Sequence, residues 1–461
     1  MMAIRFVRQH GQALPLALML ISAAAVSWIY LYNGGQIVAS RARLTHAADA
    51  AAYSGALIQA RALNMQAYIN RAQIAHQVAM AHLVTLSAWA QFGATQAGQV
   101  GRNNPPASLI AMLFGPRYGD AYASASRASA LGGLAGDLEQ AYDGHDRTVH
   151  RILAASSQAV MNTLPAARDQ AMREVLAENY RATGDAGIVP RLDLLSDGLP
   201  GRLEWVPGSQ GDLQSLSTQA VARYGFLAPR DATARNPWPV SYRCPQKRHE
   251  LRRRGATSMG ADGRWHAHDT LSFHALRSNR WIGCYYREYP MGWGDTDAAV
   301  DASSADPGGI QPPDDFSDQD FWRWVREHTD WNIQSGTANF LADAHAGVDR
   351  HEWRGRGFPP HAVLKGEASL RLAIAARMPA PALKTSDAAG AVRVAGERFA
   401  FRALQPNEYV HVASAAETYF ARPHSRADGR RELASLFHPY WQARLSAVSA
   451  TEQRAAGALH D

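Results

Sequence analysis

The sequence predicts an α+β protein on three observations. There is an uncharged apolar run near the N-terminus, a proline-free Ala-rich stretch after it, and a C-terminal region in which turns, aromatics and period-2 alternation replace helical periodicity. These divide the chain into a short N-terminal tail (1–11), a membrane helix (12–33), a helical hairpin or bundle (34–184) and an antiparallel strand-rich domain (185–461).

The apolar run is ALPLALMLISAAAVSWIYLY, Ala13–Tyr32, 20 residues without a charge. As a helix it extends about 30 Å, the thickness of bilayer hydrocarbon. Trp28, Tyr30 and Tyr32 gather at its end, where amphipathic rings settle at the lipid–water boundary, and Pro15 falls in the first turn, where a missing N–H costs little. Arg5, Arg8 and the chain amine precede the run, whereas Arg41 and Arg43 follow at a greater distance, so the positive-inside rule puts the N-terminus in the cytoplasm and the body outside. A cleaved signal peptide ending at Ala23-Ala24-Ala25 and a buried core helix are the competing readings. The run exceeds an ordinary signal h-region, and helical patterning continues beyond it, which favours a retained anchor.

From Gln36 to about Phe92 the chain has no proline and is built from Ala, Leu, Ile, Met, Gln and Arg, all good helix formers. One long helix is predicted there as a direct extension of the anchor. Leu44, Ala48, Ala51, Ile58, Met65, Ile69 and Ala72 recur at three-, four- and seven-residue steps and mark a packing face. Within it Ala48, Ala51, Ala52, Gly55 and Ala62 present little bulk, which suits the close approach of a partner helix. The Asn103–Ser108 stretch breaks the pattern, as does Gly132-Gly133. Periodicity then resumes from about Leu134 to Tyr180 through Leu138, Tyr142, Val149, Ile152, Val160, Met161 and Leu164, predicting one or two helices folded back on the first.

After Gly184, eight of the 12 tryptophans fall between Trp205 and Trp331. SLRLAIAARM, VRVAGERFAFRAL and YVHVAS alternate apolar and polar side chains as half-buried strands do. Ser317 with Asp320 supplies an N-cap pattern for a helix over FWRWVREHTDW, after a Pro/Gly/Asp-rich loop from Asp301 to Asp315.

At 461 residues, 46% hydrophobic and 19% charged, the chain is long enough for one large core or two to three smaller ones and is too apolar for wholesale disorder. Forty-seven basic against 41 acidic side chains give +6 and a pI near 9.4, a mild excess that singles out no polyanion and gives no case for nucleic acid. Cys244 and Cys284 form an even pair without CxxC spacing, and an oxidising compartment predicts a disulfide between them.

No pattern points sharply to catalysis, a cofactor or a metal. His266-Ala-His268-Asp269, with His274 downstream, could offer two imidazoles on one strand face, but Thr270 stands where a metallo-hydrolase HxHxDH motif has its Asp, and polar positions of an ordinary strand account for them. Asp301, Ser303 and Ser304 approximate a DxSxS loop with Ala305 in the final Ser position. Asp314, Asp315, Asp318 and Asp320 lack the Gly and terminal Glu of a calcium loop. KRHELRRR, Lys247–Arg254, is the densest basic run and is expected as a solvated loop.

The segment from Gln9 to about Trp89 resembles the TadE/TadG-like proteins of Flp (Tad) pilus assembly, through its GQA lead-in, RLTHAADAAAYSGA after the membrane run, and ARALNMQAYINRAQIAHQVA on the long helix. RWIGCYYREYPMGWG and ASLFHPYWQARL look like parts of the longer members. The resemblance implies a bacterial inner-membrane protein with a periplasmic body, acting without enzymatic chemistry on other assembly components or minor pilins. Prepilin processing after Gly11 is disfavoured, since Leu16 takes the place of an acidic fifth residue. An envelope adhesin or polymer-binding module is the alternative expectation, and a membrane-tethered hydrolase the third.

Overall fold

The computed structural model describes residues 13–128, 131–181, 189–260, 263–280, 283–296, 332–333, 337–338, 356–366, 369–386 and 409–459. It is an α+β protein with one long N-terminal helix, further helices and antiparallel sheets toward the C-terminus. The helices are α1 (Ala13–Gly101), α2 (Ala107–Phe114), α3 (Pro116–Ser124), α4 (Leu131–Arg181), α5 (Leu213–Val221) and α6 (Ala450–Ala458). The strands are β1 (Arg191–Asp197), β2 (Leu203–Val206), β3 (Ala232–Arg235), β4 (Glu250–Met259), β5 (Trp265–Asn279), β6 (Gly283–Asp295), β7 (Asn332–Ile333), β8 (Thr337–Ala338), β9 (His361–Leu364), β10 (Ser369–Pro379), β11 (Tyr409–Phe420) and β12 (Trp441–Ser446).

α1 runs without interruption from the apolar segment through the Ala-rich stretch, since nothing between Pro15 and Gly101 removes a backbone donor. It stops at the turn carrying Asn103, whose φ of 52° lies in the left-handed region that Asn tolerates. Gly132-Gly133 does not break the chain as expected: both glycines lie in the first turn of α4, where helical strain is small, and α4 continues through Pro165.

The chain forms two compact units that interleave along the sequence instead of following one another. The first comprises Met1–Tyr68, Ser157–Glu204 and Ala362–Asp461, and the second Ile69–Ser156 and Trp205–His361. Strand-rich and helical parts therefore share both units, because α1 and α4 each contribute to both.

In the first unit the antiparallel sheet β1-β10-β11-β12 lies on the helices. Leu372, Ile374, Ala376 and Met378 of β10 and Val410, Val412 and Ala416 of β11 meet Leu44, Ala48, Ala51, Ala52 and Ala56 of α1 and Met172, Leu176 and Tyr180 of α4. The small α1 residues let sheet and helix approach until polar groups meet directly: Thr418 Oγ1 donates to the Ala56 carbonyl at 2.9 Å and Ser414 Oγ to Asp49 Oδ1 at 2.6 Å. α6 starts with a capping box, the Ser449 hydroxyl accepting from the Glu452 N–H while the Glu452 carboxylate accepts from the Ser449 N–H. That carboxylate also pairs with Arg371 of β10.

In the second unit β3-β4-β5-β6 is an antiparallel meander. Met80, Ala81, Val84 and Ala88 of α1 pack with Trp265 and Ala267 of β5, Tyr142 of α4 and Val221 of α5. Ile110, Leu113 and Tyr122 of α2 and α3 cover Leu251, Phe273 and Met291. β6 comes close to the backbone of α1, where Thr95 Oγ1 lies 2.6 Å from the Trp293 carbonyl and 2.8 Å from its N–H, and the Asp295 N–H reaches Gln91 Oε1 at 3.0 Å. The disulfide joins Cys244 to Cys284, Cα atoms 6.0 Å apart, beside Leu276 and Tyr286.

Two expected features are changed or unseen. The basic run Lys247–Arg254 is not a solvated loop beyond His249, since Glu250–Arg254 belong to β4, with Glu250 buried between Arg235 and Arg252 at 2.8 Å each. The predicted Phe321–Trp331 helix, its Asp301–Asp315 loop with the DxSxS-like and acidic residues, and the VRVAGERFAFRAL strand lie outside the described residues.

Candidate functional site

The first candidate is the anchor. Between Ala13 and Tyr32 the body covers none of the most apolar window of α1, whose mean hydropathy is 2.0. Leu14, Leu16, Met19, Ile21, Trp28 and Leu31 are each at least 60% exposed. Within it the Ser27 hydroxyl donates to the Ala23 carbonyl one turn back. Cover begins where the apolar run ends. Asn33 is 1% exposed, its side chain donating to Ser386 Oγ at 2.9 Å and accepting from the Ser386 N–H at 2.8 Å. A water-soluble helix would not leave such an uninterrupted sheath of large apolar groups uncovered, so the segment suits single-pass anchoring.

The small-residue face of α1 is occupied by this chain. Ala48, Ala51 and Ala52 are fully buried in the first unit's core, and a Cβ on Gly55 would lie 2.6 Å from Met172 Sδ and 2.8 Å from Leu372 Cδ2. Ala62 is half-buried. The low bulk that suggested a partner helix serves α4 and β10.

A second candidate, which sequence patterning did not single out, lies in the second unit. His76 of α1 and Asp146 and His150 of α4 are 5%, 2% and 7% exposed, and their ligand atoms all lie within 4.8 Å of one another. His76 Nε2 is 2.8 Å and His150 Nε2 3.1 Å from the same oxygen, Asp146 Oδ1. The second carboxylate oxygen accepts the Arg356 N–H at 2.7 Å. Asp146 and His150 share a helix face through their four-residue spacing. His145 is exposed beside them, its ring edge-on to that of His76 with centroids 5.1 Å apart.

Burial opposes ionisation of Asp146, but the hydrogen bonds from His76 and the Arg356 N–H, with the field of both imidazoles, hold its carboxyl below the ordinary range. Burial pushes His150 down despite the attraction of Asp146, and burial and His76 push His145 down. At neutral pH Asp146 is therefore an anion next to neutral imidazoles on His145 and His150. Such a donor set can bind a divalent cation or brace two helices by hydrogen bonding.

The strand histidines do not cluster. His266 and His268 are half-buried, and His266 Nε2 pairs with Ser258 Oγ at 2.8 Å, while His274 Nε2 pairs with Ser272 Oγ at 2.9 Å. Asp269 beside them is fully buried between Arg230 and Arg253, at 2.9 and 2.5 Å.

No protein-family model, curated protein or solved structure matches this chain. The anchor and the His76–Asp146–His150 cluster therefore stand on their own geometry. Of the two, only the anchor was legible beforehand. The four-residue Asp146–His150 spacing was the available signal for the other, and His76 lies 70 residues earlier.

Proposed function

We propose that this chain is a TadE/TadG-like component of a Flp (Tad) pilus assembly machine, anchored in the bacterial inner membrane by Ala13–Tyr32 with its body in the periplasm, and acting by protein–protein contact without catalysis. The observation that carries this reading is the uncovered apolar helix that becomes buried at Asn33 and continues as the spine of a folded, disulfide-bonded body. A disulfide favours an oxidising compartment, which the periplasm is. The resemblance from Gln9 to Trp89 supplies the pilus context, and other assembly components, minor pilins and membrane lipid are the partners it implies. Since the Ala48–Gly55 face is filled from within, partner helices are directed to the anchor, where side chains are free. The test is isolation of the full-length chain from its own membranes in mild detergent after cross-linking. Pilus platform proteins should accompany it and be lost when Ala13–Tyr32 is replaced by an unrelated apolar helix of equal length; a native chain that brings down none of them overturns the proposal.

A further inference from the structure

We infer that His76 Nε2, Asp146 Oδ1 and His150 Nε2 hold one divalent transition-metal ion, with zinc the best match, and that this ion ties α1 to α4 within the second unit. Four observations point this way. Zinc bonded to nitrogen and oxygen at about 2.0–2.1 Å in tetrahedral geometry keeps its ligand atoms about 3.3 Å apart. The two His–Asp separations, 2.8 and 3.1 Å, need open only by tenths of an ångström to reach that spacing. Two imidazoles with one carboxylate are also the donor types that imidazole-preferring divalent metals share.

Next, the hydrogen-bonding inventory is left incomplete without an ion. Asp146 Oδ1 takes the hydrogen bond of His76, but His150 Nε2, buried at the same point, makes no hydrogen bond among the described residues. A cation between that nitrogen and the carboxylate oxygen 3.1 Å from it would engage both. Finally, Asp146 is oriented from behind: its other oxygen accepts the Arg356 N–H, the outer-shell arrangement that fixes a ligating carboxylate. The charge of Arg356 acts on His150 and opposes a second cation, while the Asp146 anion favours one. A water would complete four-coordination. With every assigned protein ligand buried, the ion would be structural.

The experiment uses the full-length chain in detergent, stripped with chelator and titrated with Zn2+ against a chromophoric competitor, and in parallel with Co2+. One Zn2+ per chain is expected, with the intense visible absorption of low-symmetry, four-coordinate Co2+. His150→Gln and Asp146→Asn should each weaken Zn2+ binding at least 100-fold, while His266→Ala with His268→Ala leaves it unchanged. Should the single variants unfold, the wild-type protein still decides: chelation should lower its melting temperature and Zn2+, but not Mg2+, should restore it. Absence of stoichiometric Zn2+ binding, Zn2+ binding that survives in a folded His76→Gln/His150→Gln double variant, or a melting temperature indifferent to chelator and Zn2+ would each overturn the inference.

Discussion

Gly294 of β6 lies on the backbone of α1 so closely that adding one methyl group is a sharp perturbation. A Cβ there would stand 2.1 Å from the Ala88 carbonyl oxygen, 2.8 Å from the Phe92 nitrogen and 3.0 Å from the Ala88 carbonyl carbon. Ordinary contact begins near 3.4 Å, so strand and helix would have to separate by about 1.3 Å. The obstacle is helix backbone, which cannot swing aside as a side-chain end does. Separation would also stretch the Thr95–Trp293 and Gln91–Asp295 hydrogen bonds, each worth about 1 kcal/mol net. With an overpacking cost of about 1–3 kcal/mol, Gly294→Ala should destabilise the protein by about 3–5 kcal/mol. Gly98 of the same helix has no atom within 4 Å of its would-be Cβ, so Gly98→Ala should instead stabilise by about 0.5–1 kcal/mol through helix propensity. Thermal unfolding of both variants in detergent, followed by near-UV circular dichroism, makes the comparison. At about 2–4 °C per kcal/mol for a unit of this size, Gly294→Ala should melt about 6–20 °C early. A Gly294→Ala protein melting with the wild type, or an equal loss in Gly98→Ala, would refute the close approach of β6 to α1.

Further outcomes follow from the same packing. Gly55→Leu should lower unfolding stability by about 1–3 kcal/mol or more by colliding with Met172 and Leu372; normal protease resistance combined with loss of a binding partner would contradict the internal packing. Reducing Cys244–Cys284, which closes a loop of separation 40, should cost about 4 kcal/mol in the chain-entropy treatment, and thiol labelling of the denatured, unreduced protein should find no free cysteine. Hydrogen bonding from Arg371 brings the Glu452 carboxyl from 4.5 down to about 2. Its folded value lies below the unfolded one, so the stabilisation is complete above about pH 4.5 and is lost as pH falls toward 2, amounting to about 1–2 kcal/mol once solvent around the 36% exposed Arg371 is allowed for. The stability gap between wild type and Glu452→Gln should therefore narrow on acidification below about pH 4.5, and a gap that widens would contradict the pairing. Asp269→Ala leaves Arg230 and Arg253 without their shared carboxylate and should cost about 3–5 kcal/mol by chemical denaturation, whereas exposed Asp428→Ala should leave the denaturation midpoint unchanged.

Much of the fold was legible because its signals are local. Uninterrupted helix formers from Gln36 to Phe92 dictated α1, and period-2 alternation dictated β10 and β11. Lys247–Arg254 misled because consecutive charges suggest solvent, whereas Arg252 pairs with Glu250 and the neighbouring Arg253 with Asp269, and the Arg253 guanidinium lies 3.9 Å from the ring centre of Phe92 on α1. Small residues on α1 announced close packing without naming what packs, and β10 lies more than 300 positions away in the chain. The interleaving of the two units was invisible for the same reason, since α1 and α4 keep one helical texture while passing from one unit to the other. The His76–Asp146–His150 cluster combines a one-turn spacing with a partner on another helix, a weaker signal in sequence than the adjacent His266–His268 pair, which alternation alone explains.

The most direct test of a single anchor bearing an external body is protease access to the tagged full-length chain in intact spheroplasts. The account predicts that added protease digests the body, leaving a membrane-embedded fragment that contains Ala13–Tyr32 and a cytoplasmic N-terminal tag that survives until the membrane is permeabilised. A body protected in intact spheroplasts and digested only after lysis, or a chain released from the membrane by alkaline carbonate, would contradict it.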